Sequence, residues 1–206
     1  MLKNNIQARN FLLKIKIYEN FIKKYPTVGL IHANSYSMVE NSGQERTLNK
    51  IEQKEFWTKG EDAMKCHYGV CSAVLVKKEV YDKVGYFIKQ SLSSDAEMWS
   101  RIASKYDVGF INEPTVIYFV NAASTGPISL TTRSVKEIKA DWDLLNEQMA
   151  SHYESEAARN KFWEDIKKHA PGNYFNIVKA NIRVGNYVKA LQAIKIIVID
   201  YNGLFP

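Results

Sequence analysis

The sequence holds only two cysteines, Cys66 and Cys71. Their C-x4-C spacing has no second pair and matches no strong zinc pattern, so it reads as two free thiols of a cytosolic enzyme. His67 adjoins Cys66, but one Cys-His neighbour pair falls short of a metal ligand set. Long hydrophobic runs are equally scarce. The longest, Ala193 to Ile199, is broken by Lys195 and stays far below the ~20 residues of a membrane span. The N-terminus has no signal-peptide core. Charge of one sign is never concentrated. The formal charge is +6 and the pI near 9.1, yet Lys14, Lys16, Lys23, Lys24, Lys54, Lys59, Lys77 and Lys78 are scattered among acids. That pattern reads as a solvated surface rather than a nucleic-acid groove and is compatible with an anionic ligand or a membrane surface, so no nucleic-acid partner is expected. No period recurs along the chain. Tyr187-Val188-Lys189-Ala190-Leu191 after Gly185-Asn186 has the flavour of a helical repeat, but one unit makes no array.

What is there fits a soluble globular chain. A hydrophobic fraction of 46% in 206 residues is enough for one large domain, or one domain with an appendage. Phe11, Leu12, Ile15, Tyr18, Phe21 and Ile22 repeat at helical spacing, and Pro26 ends that helix. Thr27 to Ala33 suits a buried strand. Asn41-Ser42-Gly43 signals a turn. Thr47 to Lys65 reads as a helix ending near Gly60, and Val70 to Val76 as a second strand. Lys78 to Val84 makes a short helix with Gly85 just past its end. Asp107 to Ile111 and Thr115 to Val120 read as two strands joined by the turn Asn112-Glu113-Pro114. From Ser134 the character changes. Ser134 and Glu137 have capping-box spacing. Helices follow over 135–153, 155–169, 174–184 and 187–199, with Pro171-Gly172 and Gly185-Asn186 as breaks. The expected class is α/β: a partial mixed sheet with flanking helices in residues 1–132, then an all-helical tail over 133–206.

The most informative stretch is Ser94-Asp95-Ala96-Glu97-Met98-Trp99-Ser100-Arg101. Asp95 is a candidate N-cap, and Trp99, Ile102 and Ala103 give the helix one buried face. A carboxylate fixed at a helix mouth can also serve as a positioned base. Local signals leave both readings open. Trp99, Trp142 and Trp163 lie on apolar helical stripes and read as packing, whereas Trp57 sits in a linker where an aromatic could meet a sugar.

Residues 8–125 together resemble the C-terminal, acceptor-side half of a family 2 glycosyltransferase with the A-type nucleotide-sugar fold. Tyr25-Pro26-Thr27-Val28-Gly29-Leu30-Ile31-His32-Ala33 resembles the strand "vglv-ha" after its proline, and Asn41-Ser42-Gly43 the turn that follows. Ser72 to Val80 with Val84-Gly85-Tyr86-Phe87 resembles "s-vl-rr-v-ekvGgF". Ser94-Asp95 through Trp99 and Arg101 resembles "eD-elwlR". Val108 to Pro114 resembles "vgfi-epl". The helical tail resembles accessory helices that some of these proteins carry.

The resemblance implies inverting transfer of a sugar from a nucleotide sugar to an acceptor hydroxyl, with Asp95 as general base. Cys66, His67, Tyr68 and Gly69 match a loop facing donor and acceptor. Trp57, Trp99, Arg101 and Asn121 complete the acceptor-side candidates. The departures are large. Ser94 replaces the first acid of the motif. Tyr118-Phe119-Val120-Asn121 stands where relatives carry Tyr-Arg-x-His. The donor half, with its Asp-x-Asp metal site, has no counterpart here. Asp141-Trp142-Asp143 has the letters but lies in a tail helix, away from where Mg²⁺ or Mn²⁺ would face a diphosphate. The expectation is therefore a truncated transferase, inactive alone, with no cofactor site of its own. Nucleotide sugar and Mg or Mn belong to the full-length family. The resemblance implies a bacterial polysaccharide-assembly role, a glycan or lipid-linked acceptor, and a cytoplasmic location at the inner face of the membrane with peripheral association. A homodimer is the simplest cover for a sheet missing its other half. The alternatives are a glycan- or protein-binding module and a helical interaction protein.

Overall fold

The computed structural model describes residues 14–39, 47–89, 93–120 and 130–201. The chain divides into two compact units, Met1–Phe87 with Met98–Val120, and Ile88–Glu97 with Asn121–Pro206. The predicted turn at Asn41-Ser42-Gly43, and Asn121, lie outside the described residues.

The first unit opens with helix α1 (14–24). Strands β1 (Val28–Val39), β2 (Thr47–Asn49), β3 (Phe56–Trp57), β4 (Val74–Val76) and β5 (Asp107–Val120) form one mixed sheet of order β2-β1-β5-β3, with β4 also on β1. β1 and β5 run parallel, and the other pairs are antiparallel. Helices α2 (Lys78–Val84) and α3 (Ser94–Ala103) follow β4.

The β1–β5 register shifts between Val28 and Leu30. That shift sends Val28, Ile31 and Ala33 to one face, packed with Tyr18 and Phe21 of α1, and Leu30 to the other, packed with Val80, Met98, Ile102 and Val108. Each such buried aliphatic side chain contributes about 1.5–3 kcal/mol. Gly109 is required on the α1 face, because a Cβ there would collide with the Phe21 ring.

Several sequence expectations need correction here. Thr47 to Lys65 is not helical. It supplies β2, β3 and a 3₁₀ turn at Ala63–Lys65. Ladder pairing with β1 and β5 decides that segment, and local pattern cannot see it. The strand expected over Val70 to Val76 is confined to β4, after a 3₁₀ turn at Cys71–Ala73. Asn112-Glu113-Pro114 is not a turn between two strands. β5 continues through it, and the partner of β1 jumps from Ile111 at Ala33 to Pro114 at Asn34. The extra residues are a bulge. Asn34 holds it, donating from Nδ2 to Asn112 Oδ1 at 2.9 Å while its Oδ1 accepts from the Ile51 amide at 2.8 Å. α2 matches its predicted span, and the Gly85 amide donates to the Tyr81 carbonyl at φ +84°.

The second unit is helical over its described residues from 130 onward: α4 (130–132), α5 (Val135–Ser151), α6 (Glu156–Arg183) and α7 (Tyr187–Asp200). Ser134 caps α5 with the predicted box. The Glu137 amide donates to Ser134 Oγ at 3.2 Å, and the Ser134 amide to Glu137 Oε2 at 2.8 Å. The core joins Val135 and Ile138 to Tyr174, Ile177 and Val178 and to Ala190, Ala193 and Ile197. Pro171-Gly172 does not end a helix, because α6 runs straight through. An internal proline costs about 3 kcal/mol. Ala170, Pro171, Tyr174, Ile177 and Val178 are all buried in α6, and their combined burial exceeds that cost.

Candidate functional site

Asp95 lies one residue inside α3, not on its cap, since the helix begins at Ser94. Ser93, at φ +53°, precedes it. The half-buried Asp95 carboxylate accepts from the Ala96 amide at 3.0 Å. An acid in this first turn is favoured by the helix dipole. Its neighbour Glu97 is different. Glu97 is only 3% exposed, and its Oε1 lies 3.1 Å from His152 Nε2.

Two other motif residues are engaged in structure. Arg101 donates from Nη1 to the Val84 carbonyl and from Nη2 to the Tyr86 carbonyl at 2.9 Å. It therefore closes the C-terminal end of α2, where helix carbonyls lack partners. Trp99 is 4% exposed and meets Phe87 edge-on at 5.7 Å. Its ring has no open face for a sugar. Trp57 sits in β3 with the Lys54 ammonium 4.3 Å from its ring centroid. Asp62 fixes that lysine at 2.6 Å, so this ring face is already taken.

The Cys66–Gly69 loop, expected from the sequence to face donor and acceptor, builds a cluster with two residues the sequence did not single out, His32 and Gln53. His32 of β1 is fully buried, and its Nε2 lies 3.0 Å from Cys66 Sγ and 3.0 Å from Gln53 Nε2. Gln53 Oε1 accepts from the His67 amide at 3.0 Å, and its Nε2 also donates to the His67 carbonyl at 3.0 Å. The Tyr68 ring stacks obliquely on His32 at 5.1 Å. Gly69 lies close to β1, where a Cβ would come 3.4 Å from the Ala33 carbonyl oxygen. The His67 side chain is exposed.

This Cys-His contact is not an activated nucleophile. Burial pushes the Cys66 thiol up to about 12 and the His32 imidazole down to about 4. Both are neutral at pH 7, so no thiolate forms. His32 was visible only as a histidine inside an apolar strand. Gln53 had no sequence signal.

The first unit also carries an open cleft of about 570 Å³. Asn20, Lys24, Gln53, Glu55, Asn112 and Glu113 supply its polar lining. None of the acceptor-side candidates among the described residues lines it. Lys24 and Glu55 pair across it at 2.7 Å. Asp95 and the His67–Gly69 loop fall in different units.

Among the described residues no group of three His, Cys, Asp or Glu side chains is placed to hold a metal ion. Asp141 pairs with Arg133 at 2.8 Å, and Asp143 with Lys139 at 2.8 Å. No described helix is long and apolar enough to cross a membrane. Comparison with family models, curated proteins and solved structures found no match to this chain.

Proposed function

We propose that this chain is the acceptor side of an inverting glycosyltransferase of family 2 type, inactive without a donor- and metal-binding half. The observation that carries the reading is Asp95, a half-buried carboxylate in the first turn of α3. The hydrogen bond described for it comes from its own helix. Arg101, Glu97 and Trp99 of the same motif are held by protein partners, which fixes the helix and leaves Asp95 as the group able to act. In such a transfer the acceptor hydroxyl loses its proton to the carboxylate as its oxygen bonds the anomeric carbon. The nucleoside diphosphate leaves with the electron pair of the broken C–O bond. A glycan or lipid-linked acceptor at the inner face of a membrane belongs to this proposal.

The test is restoration. A donor-binding half of a family 2 enzyme is fused or co-expressed with the chain, and sugar transfer is followed with the nucleotide sugar and Mn²⁺. Transfer should return, and Asp95→Asn should remove about 10²–10⁴-fold of it. Asn keeps an acceptor for the Ala96 amide and loses only the charge–dipole attraction, about 0.3–1 kcal/mol. Stability should therefore hardly change. An Asp95→Asn fusion as active as its parent would end the assignment.

A second reading, a helical interaction protein, is favoured by the bare outer face of α7, where Val188 and Leu191 are 70% and 64% exposed.

A further inference from the structure

The division between the two units falls inside α3. Ile88–Glu97 belong to the helical unit, and Met98–Val120 to the sheet unit. The first turn of α3, which carries Asp95, therefore packs with the helical tail. Glu97 makes the connection. Its buried carboxylate lies within hydrogen-bond distance of His152, the residue that ends α5.

His152 stands on a fixed corner. The Tyr153 amide donates to the Ala150 carbonyl at 3.2 Å, and Arg159 donates from Nη2 to the Tyr153 carbonyl at 3.0 Å. The Tyr153 ring packs on the buried Phe162 at 5.3 Å. Ser155 caps α6, its Oγ accepting from the Ala158 amide at 3.1 Å. The end of α5 and the start of α6 thus hold His152 from both sides.

Asp95 and Glu97 are two residues apart, so on a helix they point roughly 200° apart, to opposite sides. Burial agrees, since Glu97 is buried and Asp95 half-buried. Drawing Glu97 onto His152 sets the rotation of the first turn and directs Asp95 the other way. That turn needs such a hold. Ser93 enters it at φ +53°, a conformation that residues other than glycine rarely adopt and that surrounding contacts must enforce.

We infer that His152 is a positioning residue for Asp95, acting through Glu97, and that the helical tail is thereby part of the site. The inference rests on the glycosyl-transfer reading for what Asp95 does, and on the contact alone for what His152 holds. A reacting group must be kept within about 0.5 Å of its working position. A displacement of about 1 Å caused from a distance costs on the order of 10²-fold in rate.

Two measurements test it. The first is amide hydrogen exchange of the full chain, which needs no activity. An α-helix closes the Met98 and Trp99 amides onto the Ser94 and Asp95 carbonyls. His152→Ala should speed exchange at these two amides at least ~10-fold and leave those of Ala193 and Ile197 unchanged. His152→Gln, whose side-chain amide still donates, should restore the parent rates. His152→Asn, with its shorter reach, should behave like His152→Ala and serves if that variant does not fold. Adding His152→Ala to Glu97→Ala should bring no further increase, because the two residues form one contact. Parent-like rates in His152→Ala overturn the inference. So does an equal increase throughout the helical unit, which is lost stability and not local release, or a double variant whose effects add.

The second measurement uses the restored enzyme. His152→Ala should lower kcat about 10–100-fold with the acceptor KM unchanged, and His152→Gln should recover it. An unchanged kcat beside faster exchange overturns the positioning role. A fusion with no transfer at all fells the transferase reading instead, and the exchange rates still decide whether His152 holds this turn.

Discussion

Acid should weaken the first unit through His32. Its imidazole is fully buried, with Nε2 facing the Cys66 thiol and the Gln53 amide, both donors. A second ring proton on Nε2 would point at two groups that already offer hydrogen. Burial lowers the group to about 4, against ~6.5 in an unfolded chain. The sign follows directly. The unfolded state binds a proton near pH 6.5 and the folded state does not, so the contribution is complete above pH 6.5. It is lost as pH falls from there to about 4. A gap of roughly 2.5 pKa units corresponds to about 3 kcal/mol. Urea unfolding at half-unit steps from pH 7.5 to 4 would follow it, read through the indole signals of Trp57 and Trp99, which belong to this unit. The parent should lose stability at close to one proton's slope, ~1.4 kcal/mol per pH unit. His32→Gln should remove that slope, whatever its own stability. Equal slopes in parent and variant, or a His32 ring that titrates near pH 6.5 by NMR, would refute the burial argument.

Three further outcomes are expected. Ser134→Ala removes the capping box of α5 and should cost about 1 kcal/mol; equal thermal unfolding of the second unit would contradict the cap geometry. Gly109→Ala sets a methyl against the Phe21 ring and should destabilise the first unit by about 1–3 kcal/mol, measured by urea midpoint; a neutral result would mean that α1 is not seated on β5. Calorimetry of the isolated chain with millimolar nucleotide sugar and Mn²⁺ should give no saturable heat; metal-dependent binding would move the donor site back into this chain.

Local chemistry was legible in the sequence, and long-range pairing was not. Lys78–Val84 with Gly85, and Ser134 with Glu137, were readable because a helix end is decided by residues three or four apart. The helical tail was readable from its periodicity. The segment 47–65 misread as helix has its partners in β1 and β5, so its own pattern could not decide it. Pro171-Gly172 and Asn112-Glu113-Pro114 carry breaker chemistry that packing overrides, one inside a buried helix face and one as a bulge pinned by Asn34. The site followed the same rule. Asp95 stood out in the sequence, but it lies two residues past the cap position it was given. Of the His32–Gln53–Cys66 cluster only Cys66 did, since its partners join it only when β1 and the 53–66 segment meet.

Arg101 shows how a motif residue can matter without touching a substrate. Its guanidinium spans the carbonyls of Val84 and Tyr86 and reaches Met98 Sδ at 3.1 Å. These carbonyls end α2 and the turn after it, where no helical amide remains to satisfy them. The planar fork serves both at once, which a lysine ammonium on a flexible stem cannot reproduce. Hydrogen bonds to a charged donor are worth about 1.5–3 kcal/mol where they are partly buried. Arg101→Met should therefore destabilise the first unit by about 2 kcal/mol, and Arg101→Lys should recover less than half of that, both by urea unfolding. An acceptor-binding arginine would behave otherwise, because stability would be unchanged and only transfer by the restored enzyme would fall. Variants as stable as the parent would return Arg101 to the acceptor site. Variants that lose stability in the expected order identify it as the residue that ties α3 to the end of α2.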